Sequence, residues 1–297
     1  MEKNFLPQQI GIVTENVTML LPEILERYQI EIVYAKYDWP PEKDLPGENI
    51  YQKIREADKR GIKTFAKTSQ PSPKAYLDAF EKQLERFDKV LCITISSKIS
   101  GCYNSACQGK EMLSKKEKER VYILDSLNAV AGEALLVLRA IELIQEQREI
   151  SEIVEEIRNL IPQTHLYLIF EDPRWIAAIG RITESQANWI RRIKKLKLHP
   201  IMEFKNGVIG KGGMIFAQSV GEAIFKKILK ESKKSIKQGK RVRAAICHAD
   251  NLEGAEELKK MVEEKMNAEV AFLNLAPPLI GAAAGPGTLI IGWLPIE

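Results

Sequence analysis

The 297-residue chain is poor in the groups that metal, disulfide and nucleophile chemistries need, with four cysteines and three histidines. Cys92, Cys102, Cys107 and Cys247 show no C-x-x-C spacing, and His165, His199 and His248 are scattered, so neither a zinc centre nor a redox dithiol is expected. The Walker A pattern is missing, and no G-x-G-x-x-G heads a βαβ unit, so no cofactor is expected. There is no internal repeat and no low-complexity run. The first residues, Met1 to Phe5, lack a long apolar run and a small-residue cleavage site, which argues against a secretory signal and for a cytoplasmic protein. Uncharged Leu275 to Leu294 has about the length of a membrane span. Its three prolines and four glycines instead predict a buried strand–loop–strand.

What is present is an ordinary globular composition, 45% hydrophobic and 28% charged, in a chain long enough for two domains. Apolar runs at Ile10 to Thr14, Ile30 to Tyr34, Lys89 to Ile95 and Val121 to Leu124 read as strands. Helical spacing at Lys74 to Arg86, Cys102 to Lys115 and Ala129 to Gln147 separates several of them. That alternation predicts a parallel sheet covered by helices. Beyond about Pro162 the pattern changes. Strands at His165 to Phe170, Ile201 to Phe204 and Gly210 to Ala217, with Lys205-Asn206-Gly207 as a hairpin turn, predict a mixed sheet. The expected fold class is therefore α/β with two domains. Residues 1–165 form an N-terminal parallel-sheet α/β/α unit, and residues 166–297 a C-terminal α+β unit.

The net charge of +4 hides an asymmetry: Trp189 to Arg243 carries 16 Lys and Arg against three acids, Glu203, Glu222 and Glu231. This basic 189–243 segment is either a solvated face or a docking surface for an acidic partner, including transient contact with a membrane surface. It lacks aromatic interleaving and any nucleic-acid-reading motif, so no nucleic acid partner is expected.

Two hydroxyl-rich turns sit at strand-to-helix junctions: Thr68-Ser69-Gln70-Pro71-Ser72-Pro73 and Ser96-Ser97-Lys98-Ile99-Ser100-Gly101. Each alone can be a helix cap. Together, at the carboxyl ends of neighbouring strands, they can grip an anion, with Thr68, Ser69, Ser97, Ser100 and the Gly101 backbone aimed at it. Gly281 to Gly287 is a small-residue run that is either a tight crossover or a backbone cradle at Ala283 and Gly285. Arg181, after Gly180, is either an anion or partner contact or a structural ion pair. Asp125 caps the next helix or supports the second turn. Cys102 is a candidate reactive thiol at a helix start. His248-Ala249-Asp250 has no serine or cysteine at elbow spacing to complete a triad.

In this order the motifs resemble the DegV family of bacterial fatty-acid-binding proteins. The match rests on the two hydroxyl turns, Tyr103-Asn104-Ser105-Ala106, Asp125-Ser126 and Gly180-Arg181-Ile182. It continues through His199-Pro200-Ile201-Met202, Asn206-Gly207 and the terminal Gly281…Gly285-Pro286-Gly287. The resemblance implies a ligand tunnel between the two domains holding a long-chain fatty acid, its carboxylate on Thr68 and Ser100 with Ser97 close by. It implies a carrier without a catalytic constellation of its own, which presents the lipid to a fatty acid kinase subunit, with Arg181 at the docking position. The chain departs from the family pattern at Thr14-Glu15-Asn16 (usually Thr-Asp-Ser) and at Ser100-Gly101-Cys102 (usually Ser-Gly-Thr). Ala283 stands where a carboxylate-holding histidine is usual, and Met214 near a usual arginine. The alternative reading is an acyl or phosphoryl hydrolase or transferase using Ser100 or Cys102.

Overall fold

The computed structural model describes residues 10–196, 198–266 and 268–296; the first residues, weighed above for a signal, and Lys197 of the basic segment lie outside them. The chain runs β1 (Ile10–Glu15), α1 (Pro22–Arg27), β2 (Glu31–Val33), β3 (Lys36–Asp38), α2 (Ile50–Lys59), β4 (Lys67–Ser69) and α3 (Pro73–Leu84). It continues with β5 (Lys89–Thr94), α4 (Cys102–Glu111), α5 (Lys115–Lys118), β6 (Val121–Asp125), α6 (Val130–Gln145) and α7 (Ile150–Leu160). Next come β7 (His165–Ile169), α8 (Arg174–Ala178), α9 (Glu184–Lys195), β8 (His199–Lys205), β9 (Val208–Ile215) and α10 (Val220–Lys237). The last elements are β10 (Arg241–His248), α11 (Leu252–Lys265), β11 (Ala268–Leu275), α12 (Pro278–Ala284) and β12 (Leu289–Ile296).

Strands β2-β1-β5-β6 form a four-stranded sheet with every pairing parallel. Both faces of such a sheet are covered, which is why β1 and β5 read as continuous apolar runs and not as alternating ones. The second sheet, β11-β10-β12-β7-β8-β9, is mixed: β10 and β11 are parallel and the other neighbours antiparallel. Its residues alternate. Leu166, Leu168 and Ile290 face a core shared with the first sheet, while Tyr167, Ile169 and Ile291 pack with α10 and α11. The parallel sheet and the mixed sheet are those the sequence pattern predicts. Helix α6 lies between the sheets, packed on β5 on one side and on β10 and β12 on the other. It is buried almost all round, as its continuous Ala, Leu, Val and Ile content requires.

Two elements differ from expectation. Strands β3 and β4 form a separate antiparallel ribbon, too short and polar to show a period of two. The uncharged terminal stretch is strand, helix, strand, because α12 occupies its centre. Pro277 and Pro278 stand at the N-cap and first helical position, where a missing N–H costs nothing, and Ala282 to Ala284 are strong helix formers. Among the described residues no helix is long and apolar enough to cross a membrane.

Candidate functional site

A cavity of about 150 Å³ lies between the two sheets. Its walls are mainly apolar. Leu166, Leu168 and Ile290 come from the second sheet, Val17 and Ile95 from the ends of β1 and β5, and Leu279 from α12. Its polar lining is collected from the two hydroxyl turns and from Arg181. By the measure that a water needs ~10–15 Å³, the cavity has room for about ten.

The turns meet through a close approach. A Cβ on Gly101 would fall 2.2 Å from Nε2 of Gln70, so the Gln70 side chain of the first turn lies directly against the start of α4. Thr68, half-buried in β4 opposite Tyr37, lines the cavity, as do Ser69 and Gln70. Ser100 lines it too. Its hydroxyl donates to Cys102 Sγ at 3.1 Å and accepts from the Cys102 N–H at 3.4 Å. The first-turn amides of α4 have no intrahelical acceptor, and they add partial positive charge beside these hydroxyls. Ser72 takes the capping role: its Oγ accepts from the Ala75 N–H at 3.2 Å and starts α3.

Other residues singled out in the sequence are placed differently. Ser97 is exposed and outside the cavity lining; its N–H donates to Asp125 Oδ1 at 3.1 Å. Asp125 therefore braces the second turn, and it accepts from the Leu127 N–H at 3.0 Å too; Ala129, not Asp125, is the N-cap of α6. Ser96 is buried and donates to the Gly207 carbonyl at 2.7 Å, tying the β8–β9 hairpin to this turn.

The glycine-rich run is the end of α12 and not a cradle of free amides. Ala283 lines the cavity half-buried, whereas Gly285 lies outside the lining and packs on Trp175, whose Cδ1 would be 2.2 Å from a Cβ there. Arg181 lines the cavity because α8 ends in a Schellman motif: the Gly180 N–H bonds the Ala177 carbonyl and the Arg181 N–H that of Ile176. The Arg181 guanidinium donates to the Ile179 carbonyl at 2.8 Å and makes no ion pair among the described residues.

The chemistry of nucleophiles is muted here. Cys102 is buried, and burial together with the carboxylate of Glu15 pushes its thiol up to about 12, so it stays protonated at neutral pH. Among the described residues no histidine, aspartate or glutamate lines the cavity. His248 Nδ1 accepts from the Asn251 N–H at 3.1 Å, and Asp250 pairs with Arg55 at 2.7 Å, so neither reaches Ser100 or Cys102. No cluster of three or more metal-ligating side chains occurs among the described residues. Sequence reasoning missed the apolar wall; its signal was the alternation of Leu166, Leu168 and Phe170 in and after β7.

Comparison with known proteins gives the family and the fold. A DegV domain-containing protein of Staphylococcus aureus (strain N315) is 27% identical over 296 residues, covering 96% of this chain and 97% of that protein. One from Clostridium acetobutylicum is 35% identical over 202 residues, covering 67% and 70%. Among solved structures, one described as "Fatty Acid Binding of a DegV family Protein from Thermus thermophilus" superposes with a TM-score of 0.81 at 25% identity, covering 97% of this chain and 100% of that one. The Bacillus subtilis DegV structure, described as a fatty acid binding protein, shares the fold with a TM-score of 0.76 at 22% identity, covering 97% and 99%. With the model described as "Uncharacterised protein, DegV family" matching residues 9–295, this chain belongs to the DegV family.

Proposed function

We propose that this protein binds one long-chain fatty acid in the cavity between its sheets, its carboxylate held by Thr68, Ser100 and the first-turn amides of α4. The observation that carries this reading is the division of labour in the cavity: aliphatic walls from both sheets, and hydroxyls from two turns that meet where Gln70 lies against Gly101. Burial of an acyl chain contributes roughly 0.8 kcal/mol per methylene, so the walls supply the affinity and the hydroxyls fix the orientation. The Thermus thermophilus relative, whose structure is described by its fatty acid binding, supports the ligand class. The absence of a base beside Ser100 and the protonated state of Cys102 favour binding over hydrolysis or acyl transfer.

On this reading the protein is a cytoplasmic carrier that presents the carboxylate to a separate fatty acid kinase subunit, with Arg181 at the contact. Native mass spectrometry before and after organic extraction tests the binding: a co-purifying acyl-chain mass is expected, and a non-lipid occupant refutes it. The presentation step is tested separately. Arg181→Ala should leave lipid affinity unchanged and abolish acyl-phosphate formation with a cognate kinase; undiminished phosphorylation rejects the docking role.

A further inference from the structure

Directly behind the head-group end of the cavity lie two carboxyl groups that the binding reading does not use. Glu15, at the end of β1, and Glu133, in α6, are both fully buried and within hydrogen-bond reach of each other. Glu15 is well served: one oxygen accepts from the Tyr76 hydroxyl and the other from the Ile95 N–H at 3.0 Å. Glu133 is not. Its Oε1 lies 3.2 Å from Thr14 Oγ1, whose single hydrogen is contested by the Ile93 carbonyl, 2.9 Å from the same Oγ1. Its Oε2 is buried with no donor among the described residues. The titratable groups facing the pair are Tyr76 from α3, Cys92 from β5, Cys102 from α4 and Asp125 from β6, all of them acids. Among the described residues no lysine or arginine bonds to either carboxyl.

We propose that Glu15 and Glu133 share one proton, carried on Glu133 and donated to Glu15, and that this proton keeps the charge behind the head-group site at one instead of two. The pair borders the cavity: Ile95, whose N–H Glu15 holds, is in the cavity lining, and the Glu15 charge reaches the Cys102 thiol, whose Sγ accepts from Ser100. Burial raises both carboxyls above their ordinary range, and the charge of Glu15 raises Glu133 further. Loss of the shared proton therefore places a second buried negative charge near the bound carboxylate. Glu133 is a positioning residue in this scheme, and its effect is a pH dependence of lipid affinity. The inference rests on the fatty-acid reading for its ligand and not for its proton.

The test compares wild type with Glu133→Gln, an uncharged mimic of the protonated acid. Fatty-acid dissociation constants are measured by fluorescent displacement across pH, above the range where free lipid titrates. Wild-type affinity should fall about tenfold as the pair loses its proton, by the repulsion of a unit charge roughly 10 Å away at an effective dielectric near 20. Glu133→Gln should stay flat, and a fatty alcohol should show no such fall with either protein. Parallel pH profiles for wild type and variant overturn the proposal. Infrared spectra of the lipid-free protein form the second arm: a protonated-carboxyl band at neutral pH that Glu133→Gln removes supports the shared proton, and its absence from wild type overturns it. Wild type that binds no fatty acid but shows this band refutes the ligand reading and leaves the proton assignment standing.

Discussion

Replacing Ala283 with histidine tests the head-group placement in a direction that damage cannot imitate. Ala283 is half-buried in the last turn of α12 and lines the cavity, so a longer side chain there projects toward the ligand without displacing a packed neighbour. An imidazolium beside the carboxylate adds one charge-assisted hydrogen bond, worth ~1.5–3 kcal/mol. That range corresponds to about one to two powers of ten in Kd. Histidine is a poorer helix former than alanine by up to ~0.7 kcal/mol, but this loss is common to free and bound protein and leaves Kd untouched. The ring also takes space from a cavity of about 150 Å³, so the lower end, near tenfold, is the expectation. The carboxylate raises the histidine's pKa in the complex. The gain is therefore complete below the imidazole's value in the free protein and is lost as pH rises through the value in the complex. Fluorescent displacement at mildly acidic and alkaline pH should show tightening in the first only. Equal affinities for variant and wild type at acidic pH, with unfolding unchanged, refute a carboxylate beside residue 283.

Three further outcomes are expected. Thr68→Val combined with Ser100→Ala should weaken fatty-acid binding by at least about tenfold while the thermal midpoint stays put, since both hydroxyls sit at the cavity edge; unchanged displacement curves reject the site. Gly285→Ala should destabilise the protein by about 1–3 kcal/mol, because φ of +78° is unfavourable for alanine and its Cβ would strike Trp175; a urea midpoint equal to wild type contradicts this packing. Binding to anionic vesicles through Lys230, Lys233, Lys234 and Lys237 of α10, which make no ion pair among the described residues, should fade as salt rises; salt-independent binding rules out the basic surface as its cause.

The strands were legible because a strand buried on both faces is a short apolar run; β5 and β7 both show it. The hydroxyl turns were legible because a strand that ends in serine and threonine before a helix has few structural uses. Ser97 was misplaced for a related reason. Spacing shows that a hydroxyl is in the turn but not which way the turn faces, and the Asp125 carboxylate fixed that direction from another strand. Helix α12 was hidden by the prolines and glycines that bound it. Glu133 was also overlooked, although a lone acid amid Ala131, Ala134, Leu135 and Leu136 is a signal that burial without a cation could follow. Its partner lies 118 residues earlier in sequence, where Glu15 ends a strand that was legible although the burial of its carboxyl was not.

One hydrophobic cluster runs through both sheets and supplies the apolar walls of the cavity. An acyl chain in that space is, in thermodynamic terms, a removable part of the protein's own interior. At a lipid concentration about a hundred times Kd it adds ~2.7 kcal/mol to the folding free energy. A marginally stable carrier that loses this contribution opens more often and is degraded sooner. Its abundance in the cell should therefore follow the supply of free fatty acid, making protein turnover a gauge of lipid even where no kinase is at work.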